Sequence, residues 1–270
     1  MDTTERRTAV RERYARAATE GDGCCGPAGC GPPADELSCA VGYDESELAS
    51  VPEGANLGLG CGNPVALASL SPGETVLDLG AGAGFDCFLA AERVGPEGRV
   101  IGVDMTPEML ERARDNARRG GYGNVEFRLG EIEALPVPDG VVDIVISNCV
   151  LNLSANRPRV LAEVMRVLKP GGRVMISDLV SEREVPEFVA RSRESLVGCL
   201  PVPVWEYARD LAAAGFAQVR VEPGQRYPAG HVMADPQVQA AIRGDPGRED
   251  EVRAFVESIH GGAIAAVKGG

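Results

Sequence analysis

A chain of 270 residues with 44% hydrophobic content is long enough to bury one large α/β core. Its net charge of −13 argues against a protein that tracks nucleic-acid phosphates, which needs a basic face to displace counterions. No run approaches the roughly 18 apolar residues of a membrane span, and the opening MDTTERRTAV lacks the apolar segment of a signal peptide, so we expect a cytoplasmic protein acting on small molecules.

Residues 2–20 read as a polar helix. The following GDGCCGPAGCGPPADELSC is rich in Gly, Pro and Cys, has no apolar period, and predicts a loop or lid. From Thr75 onward the segments TVLDLG, RVIGVD, NVEFRLG, VVDIVISN and GGRVMISDLV read as strands alternating with amphipathic helices, the pattern of an open parallel sheet. In TPEMLERARDNARR, Thr106 can cap, Pro107 suits the first turn, and Met109, Leu110, Ala113 and Ala117 share one face. After Val180 we expect helices near 184–198 and 203–214, a strand near 217–222 and a last strand at AIAAVK. The chain divides into an N-terminal helix and lid (1–50), a main domain (51–222) and a C-terminal extension (223–270) that completes the sheet or the site.

VLDLGAGAGFD places Asp78 at a strand end and Gly80, Gly82 and Gly84 in the turn before a helix, where glycine lets backbone approach a ligand. In VIGVDMT, Asp104 ends the next strand and can accept hydrogen bonds from both ribose hydroxyls. A dinucleotide fingerprint would need a third glycine where Phe85 stands. An acid ahead of the glycines also sits badly beside a pyrophosphate, yet suits a ligand carrying an ammonium and a sulfonium. S-adenosylmethionine is therefore favoured over a nicotinamide cofactor. Over roughly residues 60–222 the pattern resembles the class I methyltransferases, and VLKPGGRVMISD looks like their fifth strand with its preceding turn. That resemblance implies a Rossmann-like α/β fold with a mostly parallel seven-stranded sheet and flanking helices. It also implies that Ile132 and Glu133, in GEIEALPVPDG, lie against the adenine; Met105 and Asn148 complete the cofactor candidates.

Eight cysteines (24, 25, 30, 39, 61, 87, 149 and 199) in a reducing compartment are expected to be free, metal-binding or redox-active. In class I methyltransferases the loop after the fourth strand faces the transferable methyl, and Cys149 occupies it. SNCVLNL offers no His, Asp or Glu to deprotonate a hydroxyl or amine. A soft acceptor would instead draw several thiolates from different segments, and Cys61 in NLGLGCGNP and Cys199 in LVGCLPVPVWEYARDL are the other isolated cysteines outside the N-terminal cluster. Cys87, inside the helix after the glycine turn, reads as a buried apolar thiol.

Together GFDCFLA, VDMT, SNCVLNL, VGCL and LGCGNP resemble the arsenite S-adenosylmethionine methyltransferases, over most of residues 50–230. The resemblance implies that Cys149 and Cys199 bind trivalent arsenic, that Cys61 shares in binding and redox chemistry, and that an N-terminal cysteine helps reduce oxidised arsenic. Cys24, Cys25, Cys30 and Cys39 all remain open for that last role, with Cys25 the candidate. It further implies arsenite or methylarsenite as substrate, mono- and dimethylated products serving arsenic detoxification, a cytosolic thiol reductant such as thioredoxin or glutathione, and a monomer. A structural metal is not expected, since adjacent Cys24 and Cys25 pair poorly for tetrahedral zinc. The rival readings are a methyltransferase for a carbon or oxygen acceptor such as a quinone precursor, and a methyltransferase-like protein that only binds arsenic or a metal.

Overall fold

A computed structural model describes residues 2–20, 34–190, 198–226, 247 and 249–270. Its centre is one sheet with strands β1 (Thr75–Leu79), β2 (Arg99–Asp104), β3 (Val125–Leu129), β4 (Val142–Asn148), β5 (Leu168–Ser181), β6 (Val202–Pro203), β7 (Phe216–Arg226) and β8 (Ile259–Lys268). The order is β3-β2-β1-β4-β5-β8-β7, seven strands, with the two-residue β6 beside β5 as an eighth. β1 through β6 pair in parallel, whereas β8 runs antiparallel to both β5 and β7. The last strand in sequence therefore sits inside the sheet.

The strands are apolar because both faces are covered. In β1, Val76 enters one core cluster while Leu77 and Leu79 enter the other, and in β4 Ile144 and Ile146 oppose Val145 in the same way. Such alternation at period two with burial on both sides marks a sheet sandwiched between helices. β1 pairs with β2 on one edge and β4 on the other, so the chain reverses its direction of winding there. Open α/β sheets bind ligands outside the carboxyl ends of the strands at such a point.

The helices are α1 (Thr3–Glu20), α2 (Ala34–Ala40), α3 (Glu45–Ser50), α4 (Pro64–Leu67), α5 (Phe85–Val94), α6 (Pro107–Gly120), α7 (Arg157–Val167), α8 (Glu187–Ala190), α9 (Val204–Ala213) and α10 (Glu249–Val256). Several depart from the sequence expectation. α2 stands inside the predicted loop, over ADELSCA, a run free of Gly and Pro whose Asp35 and Glu36 favour a helix N-terminus. α3 was signalled by Asp44 and Glu47, which form a reciprocal capping box. α8 starts only at Glu187, because Pro186 holds the residue before it out of the helical region, and residues 191–197 lie outside the described ones. In α6, Thr106 holds the N-cap position without a side-chain cap bond, and Asn116 is buried on the face where Ala117 is only partly covered. No helix among the described residues is long and apolar enough to cross a membrane.

Candidate active site

A cavity of 310 Å³ opens at the carboxyl ends of β1, β2 and β4, and all eight cofactor candidates line it: Asp78, Gly80, Gly82, Asp104, Met105, Ile132, Glu133 and Asn148. Gly82 has φ 52°, and a Cβ built there would meet nothing nearer than the Met109 sulfur at 4.0 Å. The glycine thus leaves bare backbone facing open cavity, as close approach by a ligand requires. Asp104 does more than face the ligand. Its Oδ2 accepts the Gly82 N–H at 2.9 Å and its Oδ1 the Thr106 N–H at 2.8 Å, so it ties the glycine turn to the end of β2. Glu133 is held in turn by the Ser154 hydroxyl, which donates to it at 2.5 Å.

Four carboxylates line this cavity, Asp78, Asp86, Asp104 and Glu133, and three of them are buried aspartates. Burial, and then neighbouring Asp86, push Asp78 well above the usual carboxylate range. Burial raises Asp104 as well, and lifts Asp86 to about 6 against the Tyr43 and Asn148 hydrogen bonds that favour its charged form. Desolvated acids gain most from a cation, so the cavity suits a ligand bearing ammonium and sulfonium charges. Cys87 is buried as expected but is not surrounded by apolar groups alone. Its thiol donates to Asp78 at 3.2 Å, and burial beside that acid pushes it up, keeping it protonated and unfit as a thiolate ligand.

Asn148 belongs to the framework as much as to the ligand. Its Oδ1 accepts the Cys61 N–H at 2.8 Å, while Nδ2 lies 2.7 Å from the Gly62 carbonyl, 2.7 Å from the Tyr43 hydroxyl and 3.0 Å from Asp86 Oδ2. Tyr43 donates onward to Asp86 at 2.6 Å. The loop carrying Cys61 is pressed onto the sheet so tightly that a Cβ at Gly60 would come within 2.7 Å of Asn148, and one at Gly62 within 2.9 Å of Ser177.

That loop delivers one of three converging thiols. The ligand atoms of Cys61, Cys149 and Cys199 all lie within 4.8 Å of one another. Cys61 and Cys149 form a disulfide across 5.6 Å between Cα atoms, and the Cys199 thiol donates to the Cys149 carbonyl at 3.5 Å. Cys149 also lines the cavity, so the trio adjoins it. At Cys149 the backbone leaves β4 with φ 57°, an unusual conformation for a residue with a side chain, held by the Cys149 N–H on the Ser177 carbonyl at 2.8 Å. Cys24, Cys25 and Cys30 lie outside the described residues, and Cys39 is exposed on α2.

Sequence reasoning missed two contributors, and expected the C-terminal extension to complete the sheet or the site without naming the residues that do so. α1 is not merely polar: Val10, Ala17 and Ala18 are buried, Thr3, Arg7 and Val10 line the cavity, and Arg6 and Arg7 donate to the Asn152 carbonyl and to Glu131. Apolar residues at 10, 14, 17 and 18 carry the helical stripe that signals it. Tyr43 and Asp86 had no local signal beyond an acid in a first helical turn. Phe255 of α10 and Ile259 of β8 pack against the thiols, which brings the end of the chain into the site.

Residues 70–212 match the methyltransferase domain family. A solved arsenic(III) S-adenosylmethionine methyltransferase from Chlamydomonas reinhardtii superposes with a TM-score of 0.58 at 31% identity, covering 89% of this chain and 75% of that one. The chain belongs to the arsenite S-adenosylmethionine methyltransferase family. Among curated proteins of that family, the arsenite methyltransferase of Halobacterium salinarum is 52% identical over 82% of this chain, and that of Aquipseudomonas alcaligenes 44% identical over 52% of it. The chain spans 60% and 42% of the length of those two relatives.

Proposed function

We propose that this protein transfers methyl groups from S-adenosylmethionine to trivalent arsenic held by Cys61, Cys149 and Cys199, converting arsenite or methylarsenite to more highly methylated products for detoxification. The observation that carries the reading is the convergence of three cysteines from separate segments beside a carboxylate-lined cavity. The methyl donor, when bound, supplies an electrophilic carbon on a sulfonium. Asp104 would hold its ribose, Ile132 and Glu133 its adenine, and Asp78 with Asp86 its positive charges; Met105 and Asn148 complete the walls.

The thiolates position the acceptor. Arsenic bound by thiolates is pyramidal and keeps its lone pair, so the acceptor needs no general base, which fits the absence of one in SNCVLNL. Fixing the two reactants in an attack geometry can supply on the order of 7 to 11 kcal/mol. Methylation removes an electron pair from arsenic and leaves it formally pentavalent. Cys61 and Cys149 return that pair by forming a disulfide as their two bonds to arsenic break, and water supplies a hydroxyl as the third substituent and gives its proton to solvent, leaving trivalent methylated arsenic on Cys199. An external dithiol, thioredoxin or a glutathione-fed system of the cytoplasm, then reopens the bridge by thiol–disulfide exchange. Cys25 is our candidate for relaying that exchange, and the working unit is a monomer.

A carbon or oxygen acceptor would leave the thiol trio without use, and a mere arsenic binder would have no use for the carboxylate-lined cavity. Incubating the pure protein with arsenite, S-adenosylmethionine and a dithiol, then speciating the arsenic, tests the proposal. Methylated arsenicals formed in step with S-adenosylhomocysteine are expected. Inorganic arsenic alone, with the donor unconsumed, refutes it.

A further inference from the structure

The thiol trio has two unlike sides. Cys149 faces the cavity with its buried acids, whereas Leu179, Phe255 and Ile259, all buried, pack against the cysteines from elsewhere together with the partly buried Val185 and Val189. Two of these apolar side chains, Phe255 and Ile259, come from α10 and β8 near the end of the chain. We propose that Phe255, Ile259 and Leu179 form a seat for the methyl group already on the acceptor, and so set the preference of the site for a methylated trivalent arsenical over arsenite.

The argument rests on the arsenic-methylating reading above and on the shape of trivalent arsenic. A lone pair that is to take a methyl must point toward the donor cavity, so the three substituents of arsenic point away from it. In bound arsenite the three substituents are thiolates, or two thiolates and a hydroxyl. In methylarsenite one is carbon, and that methyl must take a place on the side away from the donor. A hydroxyl directed at Leu179, Phe255 and Ile259 would lose its hydrogen bonds to water, since these side chains offer no polar atom. A methyl there gains by leaving water, about fourfold in affinity for one buried group. The product of one transfer thus becomes the better-seated acceptor for the next. In that next transfer the arsenic lone pair forms the new As–C bond as the C–S bond of the sulfonium breaks and its pair stays on sulfur. The arsenic, now formally pentavalent, is reduced by the site thiols and the external dithiol as before.

The test uses the full chain, reduced, with calorimetric titration of arsenite and of methylarsenite in the absence of donor, followed by initial methylation rates with each. In Phe255→Ala the affinity for methylarsenite relative to arsenite should fall at least threefold, with Phe255→Leu recovering most of it; the rate ratio should move in the same direction. Ile259→Thr, close in shape but with a hydroxyl in the wall, should lower the same ratio, which covers the case in which Phe255→Ala does not fold. Donor affinity serves as the check on folding. Ratios within experimental error of wild type in the folded variants overturn the seat, as does an equal loss for both arsenicals. A wild-type chain that binds both arsenicals but methylates neither refutes the proposed activity instead, and the affinity ratios still decide the seat.

Discussion

Replacing Asn148 with alanine should uncouple the acceptor loop from the donor cavity. The side chain accepts from the Cys61 backbone at 2.8 Å and offers two hydrogens to the Gly62 carbonyl, the Tyr43 hydroxyl and Asp86. Its loss removes about two bonds to uncharged groups and one to a carboxylate, and leaves their partners beneath a closely packed loop. At about 1 kcal/mol for each neutral bond and about 1.5 to 3 for the charged one, the reduced protein should lose about 3.5 to 5 kcal/mol. Reduction matters, because the Cys61–Cys149 bridge otherwise anchors the same loop to the end of β4. Urea denaturation under reducing conditions reads the stability, and titration with arsenite should show affinity weakened by tenfold or more as Cys61 loses its place. A loss below about 1 kcal/mol together with wild-type arsenite affinity would refute the reasoning, leaving Asn148 as no more than a cavity wall.

Asp104→Ala should weaken S-adenosylmethionine by tenfold or more in calorimetry, since it removes ribose acceptors worth about 1.5 to 3 kcal/mol each and also frees the Gly82 and Thr106 N–H groups; unchanged affinity would place the nucleoside elsewhere. Cys149→Ser and Cys199→Ser should each abolish arsenic methylation while donor binding persists, because serine does not replace a soft thiolate, and near-normal turnover in either would sink the thiolate-acceptor mechanism. Donor affinity should rise as pH passes upward through about 6, where Asp86 ionises and can face a cation, and Asp86→Asn should flatten that rise. Asp178, buried and lifted to about 7, binds a proton more tightly folded than unfolded, so its contribution to stability declines as pH rises from about 4 toward 7; the melting temperature of Asp178→Asn should vary less over that range.

The sequence by itself determined the sheet and the donor side of the site. The apolar strands, the turn of Gly80, Gly82 and Gly84, and the acids Asp78 and Asp104 are all local: each lies within a few residues of a strand end, and burial on both faces leaves a continuous apolar run that is read directly. Cys61, Cys149 and Cys199 were legible as a set through the family resemblance, although nothing in their spacing brings them together. Only the tertiary structure decided that Cys61 pairs with Cys149, since Asn148 and the glycines around Cys61 set that loop onto the sheet from 87 residues away. It also decided that α1 roofs the cavity, that Tyr43 and Asp86 join its acids, and that β8 enters the sheet between β5 and β7 to bring Ile259 beside the thiols. Those outcomes depend on which segments find each other in space, and an antiparallel strand such as β8 shows the same alternating pattern at an edge or in the interior. Its place is fixed by the partners it pairs with, which no local pattern encodes.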